Sequence, residues 1–360
     1  MAKKIIGLSL DFIIHPGETI KEFLEARNMT QEELAIRTGF SAKHISEVVN
    51  GKKDISPAFA KSLEYVFGTP MSFWVNLQGI YDREMLEYNE QQEIDDVEIG
   101  IAKKLKDVIK YAEEINILPK IKNDITSQII ELRNMCNITK LNYIHSLYAN
   151  KVAFRKSQTI DTDIDILYAW LRICELYSKT QNVKCDYDEQ VLKNNIENIK
   201  KCMLLPKDKA VERLKDIFSK CGIIFQVVKS IKGAPVQGFI KKYDEKIILT
   251  MTTRRKFADE FWFTLFHEIG HLLNGDVNDT QFIDYQETKS QKEILADNYA
   301  SNVLINEEEY IKFISENIDE TKIKRFAKSQ NVAPFIVVGR LQKDNNDYRM
   351  FYNLKEKYDW

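Results

Sequence analysis

His267 and His271 stand four residues apart with Glu268 beside the first, in the run His267-Glu268-Ile269-Gly270-His271, an H-E-x-x-H pattern. On a helix, residues four apart share a face, so both imidazoles can reach one metal ion. Glu268 lies next to that face, where its carboxylate could take a proton from a metal-bound water. That is the chemistry of metal-assisted peptide hydrolysis. A zinc site of this type needs a third protein ligand and leaves a fourth position open. Glu293 is the candidate third ligand, and Asp297, four residues later, could brace a ligand histidine from behind. Asp276, Asp279, Asp284 and Glu287 lie in a polar, loop-like stretch and are weaker candidates. The bland alternative is a core histidine pair satisfied without metal.

Two helices must hold these groups. Phe257–Asn274 reads as one helix, apolar nearly all round through Phe261, Trp262, Phe263, Leu265, Phe266, Ile269, Leu272 and Leu273, with Asn274-Gly275 as its stop. A buried helix carrying two histidines and a glutamate has to satisfy those polar groups, and a metal would do so. Gln291–Leu304 reads as the second helix. Upstream the hydrophobic period shortens: Ile223–Val228, Val236–Tyr243 and Ile247–Thr252 read as strands, the last two joined at Asp244-Glu245. They predict a small antiparallel sheet whose edge could dock a peptide.

Residues from about Leu204 to Gln342 resemble the ImmA/IrrE family of metallopeptidase domains. The resemblance is carried by the helix and strand in Lys207–Val228, Gly238-Phe239-Ile240, the strand Lys246–Thr253, Phe263 to His271, and an E-x-x-A-D stretch at Glu293 to Asp297 followed by Tyr299-Ala300 and Leu304. It implies zinc (Zn2+) on His267, His271 and Glu293, Glu268 as general base, and an α+β, zincin-like fold. The family often has another acidic residue where this chain has Leu295. Tyr285, Tyr299 and His145 are the candidates for stabilising an oxyanion.

At 360 residues, two or three domains are expected. Hydrophobic residues at 44% with a net charge of −2 describe an ordinary globular chain and argue against disorder. Five widely spaced cysteines without a C-x-x-C pair argue against a disulfide framework or a cysteine metal site, and for reduced thiols in a cytoplasm. No apolar run reaches transmembrane length, so no membrane partner is expected. The start, Lys3-Lys4 then Ile5–Ile14, faintly imitates a signal peptide, but Asp11 interrupts it and His15-Pro16-Gly17-Glu18 replaces a cleavage site.

His15–Asp82 reads as five short helices. Pro16 opens the first, running to about Asn28. Thr30 caps the second, Gln31–Thr38, with Glu33 completing a capping box. After the turn at Gly39-Phe40, Ser41 caps the third, which Asn50-Gly51 ends. Ser56-Pro57 starts the fourth, and the fifth contains Phe73-Trp74-Val75. Two short helices around a glycine turn are the helix-turn-helix signature. Arg37, Lys43, Lys52 and Lys53 face only Glu47, a local positive stripe of the kind phosphates require. Ser41, Ala42, Lys43 and Ser46 lie on the outer face of the third helix, placed to read base edges, and Ile45, Val48 and Val49 face the core. Gln31 begins the second helix, where it can bond a phosphate. With Asn50 and Lys52 these are the candidate DNA contacts; His44 is either another or a solvated surface histidine.

This segment resembles the Xre-type helix-turn-helix, and closely the HigA antitoxin subgroup. The matching stretches are His15 to Glu18, Asn28 to Ala35, Ser46 to Gly51 and Phe73 to Gln78. HigA relatives often carry a longer, more polar residue where Ala42 stands. The resemblance implies a homodimer on double-stranded DNA bearing an inverted repeat. Glu84–Glu98 then holds seven acidic residues and no basic one, either a solvated helical strut or a flexible linker. From Ile101 to Lys201 the pattern is helical throughout.

The chain is therefore expected to be mainly α, in three parts. A five-helix, Xre- or lambda-repressor-like domain spans 1–82. An acidic linker and helical connector span 83–203. An α+β zincin-like peptidase domain spans 204–360. The expected function is a cytoplasmic DNA-binding regulator carrying a zinc endopeptidase that cleaves a regulatory protein: a repressor, a toxin partner, or itself. The rival readings are a HigA-like antitoxin with a structural or inactive zinc domain, and a plain enzyme whose helix-turn-helix only dimerises.

Overall fold

The computed structural model describes residues 9–121, 124–147, 162–277 and 291–360. Asp279, Asp284, Tyr285, Glu287 and the Lys3-Lys4 pair lie outside the described residues. The chain divides into two compact units, Met1–Ile99 and Gly100–Trp360.

The first unit contains helices α1 (Pro16–Ala26), α2 (Gln31–Thr38), α3 (Ala42–Val49), α4 (Pro57–Phe67) and α5 (Met71–Gln92). Local chemistry starts each of the first four. His15 Nδ1 accepts from the Gly17 amide (2.9 Å), Thr30 Oγ1 from Glu33 (3.1 Å), Ser41 Oγ from His44 (3.2 Å) and Ser56 Oγ from Phe59 (3.2 Å). Gly39 and Gly68, both at φ 74°, end α2 and α4 in a left-handed conformation that costs glycine nothing. Ile20, Leu34, Ile45, Val48, Phe59, Leu63 and Trp74 fill the core. A buried amide ties the α3–α4 loop to α5: Gln78 accepts from the Ile55 amide (2.9 Å) and donates to Asp54 (3.2 Å) and Asp82 (2.7 Å). The acidic stretch after residue 83 is helical in the second half of α5 and again in α6 (Asp96–Lys104), with a break at Glu93 to Asp95 between them.

The second unit opens with helices α7 (Lys106–Glu114), α8 (Ile125–Cys136), α9 (Ile164–Lys179), α10 (Glu189–Lys201) and α11 (Lys207–Lys220). Three strands follow: β1 (Ile223–Val228), β2 (Gly238–Tyr243) and β3 (Lys246–Thr252), in the order β1-β3-β2. The sheet is mixed, which corrects the expectation of an antiparallel one. The turn at Asp244-Glu245 does make β2 and β3 antiparallel, but β1 runs parallel to β3 on its other edge. That placement explains why nearly every residue of β1 is buried, as in a strand covered on both faces.

Helix α12 (Ala258–Leu273) packs against this sheet and against helices α13 (Gln291–Leu304) and α16 (Pro334–Asn345). Between the last two come α14 (Glu307–Ile314) and α15 (Glu320–Ser329). The carboxy-terminal segment then returns to clamp the start of α12. The Ala258 amide donates to Glu356 O (3.0 Å), the Tyr358 amide to Lys256 O (2.7 Å), and Trp262 Nε1 to the Tyr358 hydroxyl (2.8 Å). No helix of the described residues is long and apolar enough to cross a membrane.

Candidate metal centre and helix-turn-helix face

Twelve of the sixteen residues of α12 are buried, His267, Glu268 and His271 among them. The helix can present these polar groups inside a core because α13 approaches it closely. A Cβ on Gly270 would stand 3.1 Å from Ala296 Cα and 3.2 Å from the Tyr299 ring, so a larger residue would push the two helices apart by a few tenths of an ångström. The approach brings Glu293 onto the histidines. Its Oε2 lies 3.2 Å from His267 Nε2 and 3.5 Å from His271 Nε2, and the two Nε2 atoms are 2.9 Å apart.

These three distances bracket the edge of about 3.3 Å of a tetrahedron with metal–ligand bonds near 2.0–2.1 Å. The backs of both rings are held as well. The His267 Nδ1–H donates to Asp297 (2.6 Å) and the His271 Nδ1–H to Asp276 (3.0 Å), which turns both Nε2 atoms toward Glu293. Asp276, a spare ligand by its sequence position, is thus an orienting group, and Lys292 holds its other oxygen (3.0 Å). Burial works to lower the His267 pKa, but hydrogen bonds to Asp297 and Glu293 outweigh it and raise the value to about 9. Burial works to raise Glu293, and its bonds to His267 and His271 pull it down to about 2 instead. Both shifts say the same thing: the cluster favours a positive charge between these atoms, and a zinc ion fits it.

Glu268 is 0% exposed, and neither carboxylate oxygen has a hydrogen-bond partner among the described residues. Burial pushes its pKa well above the ordinary carboxylate range, opposed by the charge of His267 and reinforced by that of Glu293. An orphaned buried carboxylate lowers stability and calls for an explanation outside packing. Sequence reasoning missed what shapes its niche. A Cβ on Gly238 would fall 2.9 Å from Glu268 Oε1 and 3.1 Å from Thr264 Cγ2. The absence of a side chain at that strand position is the one signal that could have been read. Gly238→Ala is expected to displace the carboxylate, keeping zinc within about twofold but cutting peptide hydrolysis at least about tenfold, read by metal analysis alongside a rate assay.

Of the oxyanion candidates, Tyr299 packs its ring edge near Gly270, and burial pushes its hydroxyl up to about 12. His145 occupies a separate cluster, 3.1 Å from the buried Asp165, which also binds Lys104 (2.6 Å).

In the first unit, Ser41, Ala42, Lys43, Asn50 and Lys52 are exposed along and just beyond α3, with Ser46 half-buried. Ile45, Val48 and Val49 are buried as expected. Gln31 is half-buried at the start of α2. Asn50 Nδ2 donates to Ser46 O (2.8 Å) and Ser46 Oγ (3.2 Å), so the two move as one group. The positive stripe is weaker than its composition suggests. Arg37 binds Glu33 (2.6 and 2.9 Å), and Lys43 stands 3.8 Å from Glu47. Glu33 spends its carboxylate on Arg37 in place of closing the capping box. His44 is half-buried and packs its ring between Phe40 and Phe59, with ring centroids 4.7 and 5.1 Å away.

Comparison with known proteins finds two family models. One, described as a helix-turn-helix, matches residues 20–74, and the other, described as an IrrE N-terminal-like domain, matches residues 246–342. Among curated proteins, virulence-associated protein I of Dichelobacter nodosus is 33% identical over 79 residues, covering 22% of this chain and 73% of that protein. Two solved structures are similar over 23% of the chain. An addiction-module antidote protein of the HigA family from Coxiella burnetii is 30% identical, with 95% of its chain covered and a TM-score of 0.21. The antitoxin HigA of Pseudomonas aeruginosa, solved with the higBA promoter, is 31% identical, with 96% covered and a TM-score of 0.22.

Proposed function

The chain belongs to the helix-turn-helix family through its amino-terminal unit and carries an IrrE N-terminal-like domain toward its carboxy terminus, and on that premise we propose that it is a DNA-binding regulator with a zinc-dependent endopeptidase that cleaves a regulatory protein. The observation that carries the peptidase half is the buried, unpartnered Glu268 carboxylate beside a converging set of two imidazoles and one carboxylate. A purely structural metal site has no use for that group.

His267, His271 and Glu293 would hold the metal. Zinc, when bound, supplies Lewis acidity that polarises a scissile carbonyl and acidifies water. Asp297 and Asp276 fix the Nδ1–H tautomers, so both Nε2 atoms stay available as ligands. Glu268 accepts the proton of the attacking water on a carboxylate oxygen and returns it to the leaving nitrogen. The close walls around it, Gly238 and Thr264, keep bulk solvent from competing. The substrate strand would lie along β2, whose first residue abuts Glu268.

The regulator half rests on α2 and α3. Gln31, Ser41, Ala42, Lys43, Ser46, Asn50 and Lys52 are the proposed contacts to an inverted-repeat operator bound by a homodimer. Operator affinity should fall steeply with salt, since each neutralised phosphate adds a slope of about −0.9 to log K against log salt. Lys52→Ala is expected to weaken binding more than Lys43→Ala, because Lys43 already has Glu47 beside it. Measurement by anisotropy at several salt concentrations checks this, and equal binding to scrambled DNA would overturn the regulator reading.

The cleaved protein is proposed to be a partner, a repressor or toxin, ahead of the chain itself. Most of the acidic stretch is helical, with only Glu93 to Asp95 outside the two helices, and a peptidase needs a longer extended segment, so cutting there would first require local unfolding. The test incubates the zinc-loaded full chain with the product of the neighbouring gene, with Glu268→Gln as control. Intact partner and intact chain, with zinc confirmed, would leave an antitoxin-like DNA-binding protein with a structural metal centre.

A further inference from the structure

A cavity of about 460 Å³ lies beside the metal centre, toward the amino terminus of α12. Its size is that of ordinary ligand cavities, which run from about 300 to 1,000 Å³. Its inner wall is continuous with the centre. Phe263 and Thr264 line it one helical turn before His267 and Glu268, Ser301 one turn beyond Asp297, and Gln237 directly before Gly238. The Phe263 ring centroid is 6.4 Å from that of His267. Leu304, Ile305, Ile336 and Tyr352 add apolar wall, and Gln342 and Tyr348 bring polar atoms to it.

Every charged group of its lining except Lys343 stands in an ion pair among the described residues. Arg255 stands 3.8 Å from Glu260, Lys355 binds Asp259, and Arg340 binds Glu307 and lies 3.7 Å from Asp344. Lys343, at the rim, sits over the Phe263 ring, 5.1 Å from its centroid. These groups already face opposite charges, so a charged occupant would lose its hydration for little Coulombic gain, although Asp259 Oδ1 and Arg340 Nη1 are buried with no hydrogen-bond partner among the described residues.

We propose that this cavity is the specificity subsite of the peptidase and takes one large apolar or aromatic side chain of the substrate, within two residues of the scissile bond. The proposal rests on the peptidase reading of the metal centre. Spacing supports it: four residues of helix advance about 6 Å, and two residues of extended chain about 6.6 Å. A peptide whose reacting carbonyl lies at Glu268 therefore brings a side chain two positions away to the cavity mouth.

The test measures binding separately from cutting. The zinc-loaded full chain in the Glu268→Gln background is titrated, by fluorescence polarisation, with fluorescein-labelled alanine octapeptides carrying a single Phe, Leu, Asp or Lys. Phe and Leu peptides should bind at least about tenfold tighter than the all-alanine peptide, as expected for burying one large apolar side chain, and Asp and Lys peptides should not. Ser301→Phe, which fills the cavity, should reduce the Phe peptide to the alanine level, and Leu304→Ala, which enlarges it, should increase the advantage of Phe over Leu. Equal affinity for all peptides, a preference for Asp, or a preference unchanged in both variants would overturn the proposal. If the preference appears but chain retaining Glu268 cuts none of these peptides, the side-chain site stands and the hydrolytic reading falls. Cutting without preference overturns the subsite and leaves the hydrolytic reading standing.

Discussion

Glu268→Gln is expected to keep zinc at about one per chain and an unchanged helical spectrum, while lowering hydrolysis of the partner protein by about 10²–10⁴-fold, the usual share of a general base. The side chain touches neither imidazole through a hydrogen bond, and its two oxygens have no partner to lose. Glutamine is nearly the same size and neutral, so the buried niche beside Gly238 and Thr264 accepts it without the cost of an isolated charge. What the variant cannot do is carry the proton from water to the leaving nitrogen. Zinc content and rate, measured on the same preparation, separate the roles. Loss of zinc along with activity would mean that Glu268 is a ligand and the assignment wrong.

The second large effect is at the ligands themselves. His267→Ala and Glu293→Gln should each lose most of the zinc, because three protein ligands leave no redundancy. Asp297→Asn and Asp276→Asn should lose less, about 10–100-fold in affinity, since they act by orienting the imidazoles. The order matters more than the values: ligand variants must fall below orienting variants, and Glu268→Gln must stay near the parent. Competition with a chromophoric chelator reads all five. Zinc retained in Glu293→Gln but lost in Asp276→Asn would make Asp276 the third ligand.

Much of this site was legible in the chain. The spacing of His267 and His271, the helix that carries them, and the i, i+4 pair Glu293 and Asp297 follow from helical periodicity, which is local. So do the caps at Thr30, Ser41 and Ser56 and the turn glycines at Gly39 and Gly68, because each is a contact between residues at most a few positions apart. The tight turn at Asp244-Glu245 likewise specified the antiparallel pair of β2 and β3.

What required the tertiary structure was every relation between distant segments. The direction of β1 against β3 is one, since no short connection joins them and either direction satisfies the same apolar run. The burial of Glu268 without a partner is another, decided by how β2 meets α12. Asp276 became an orienting group and His44 a core-edge ring for the same reason. The positive stripe shrank because Arg37 found Glu33 one turn away, a choice among rotamers that composition cannot express. The sequence by itself determined which groups could do chemistry and which helices carry them. The packing of Gly270 against Ala296 decided that the groups meet, because a helix sets the order of side chains along its own face and only a second surface sets their distance from anything else.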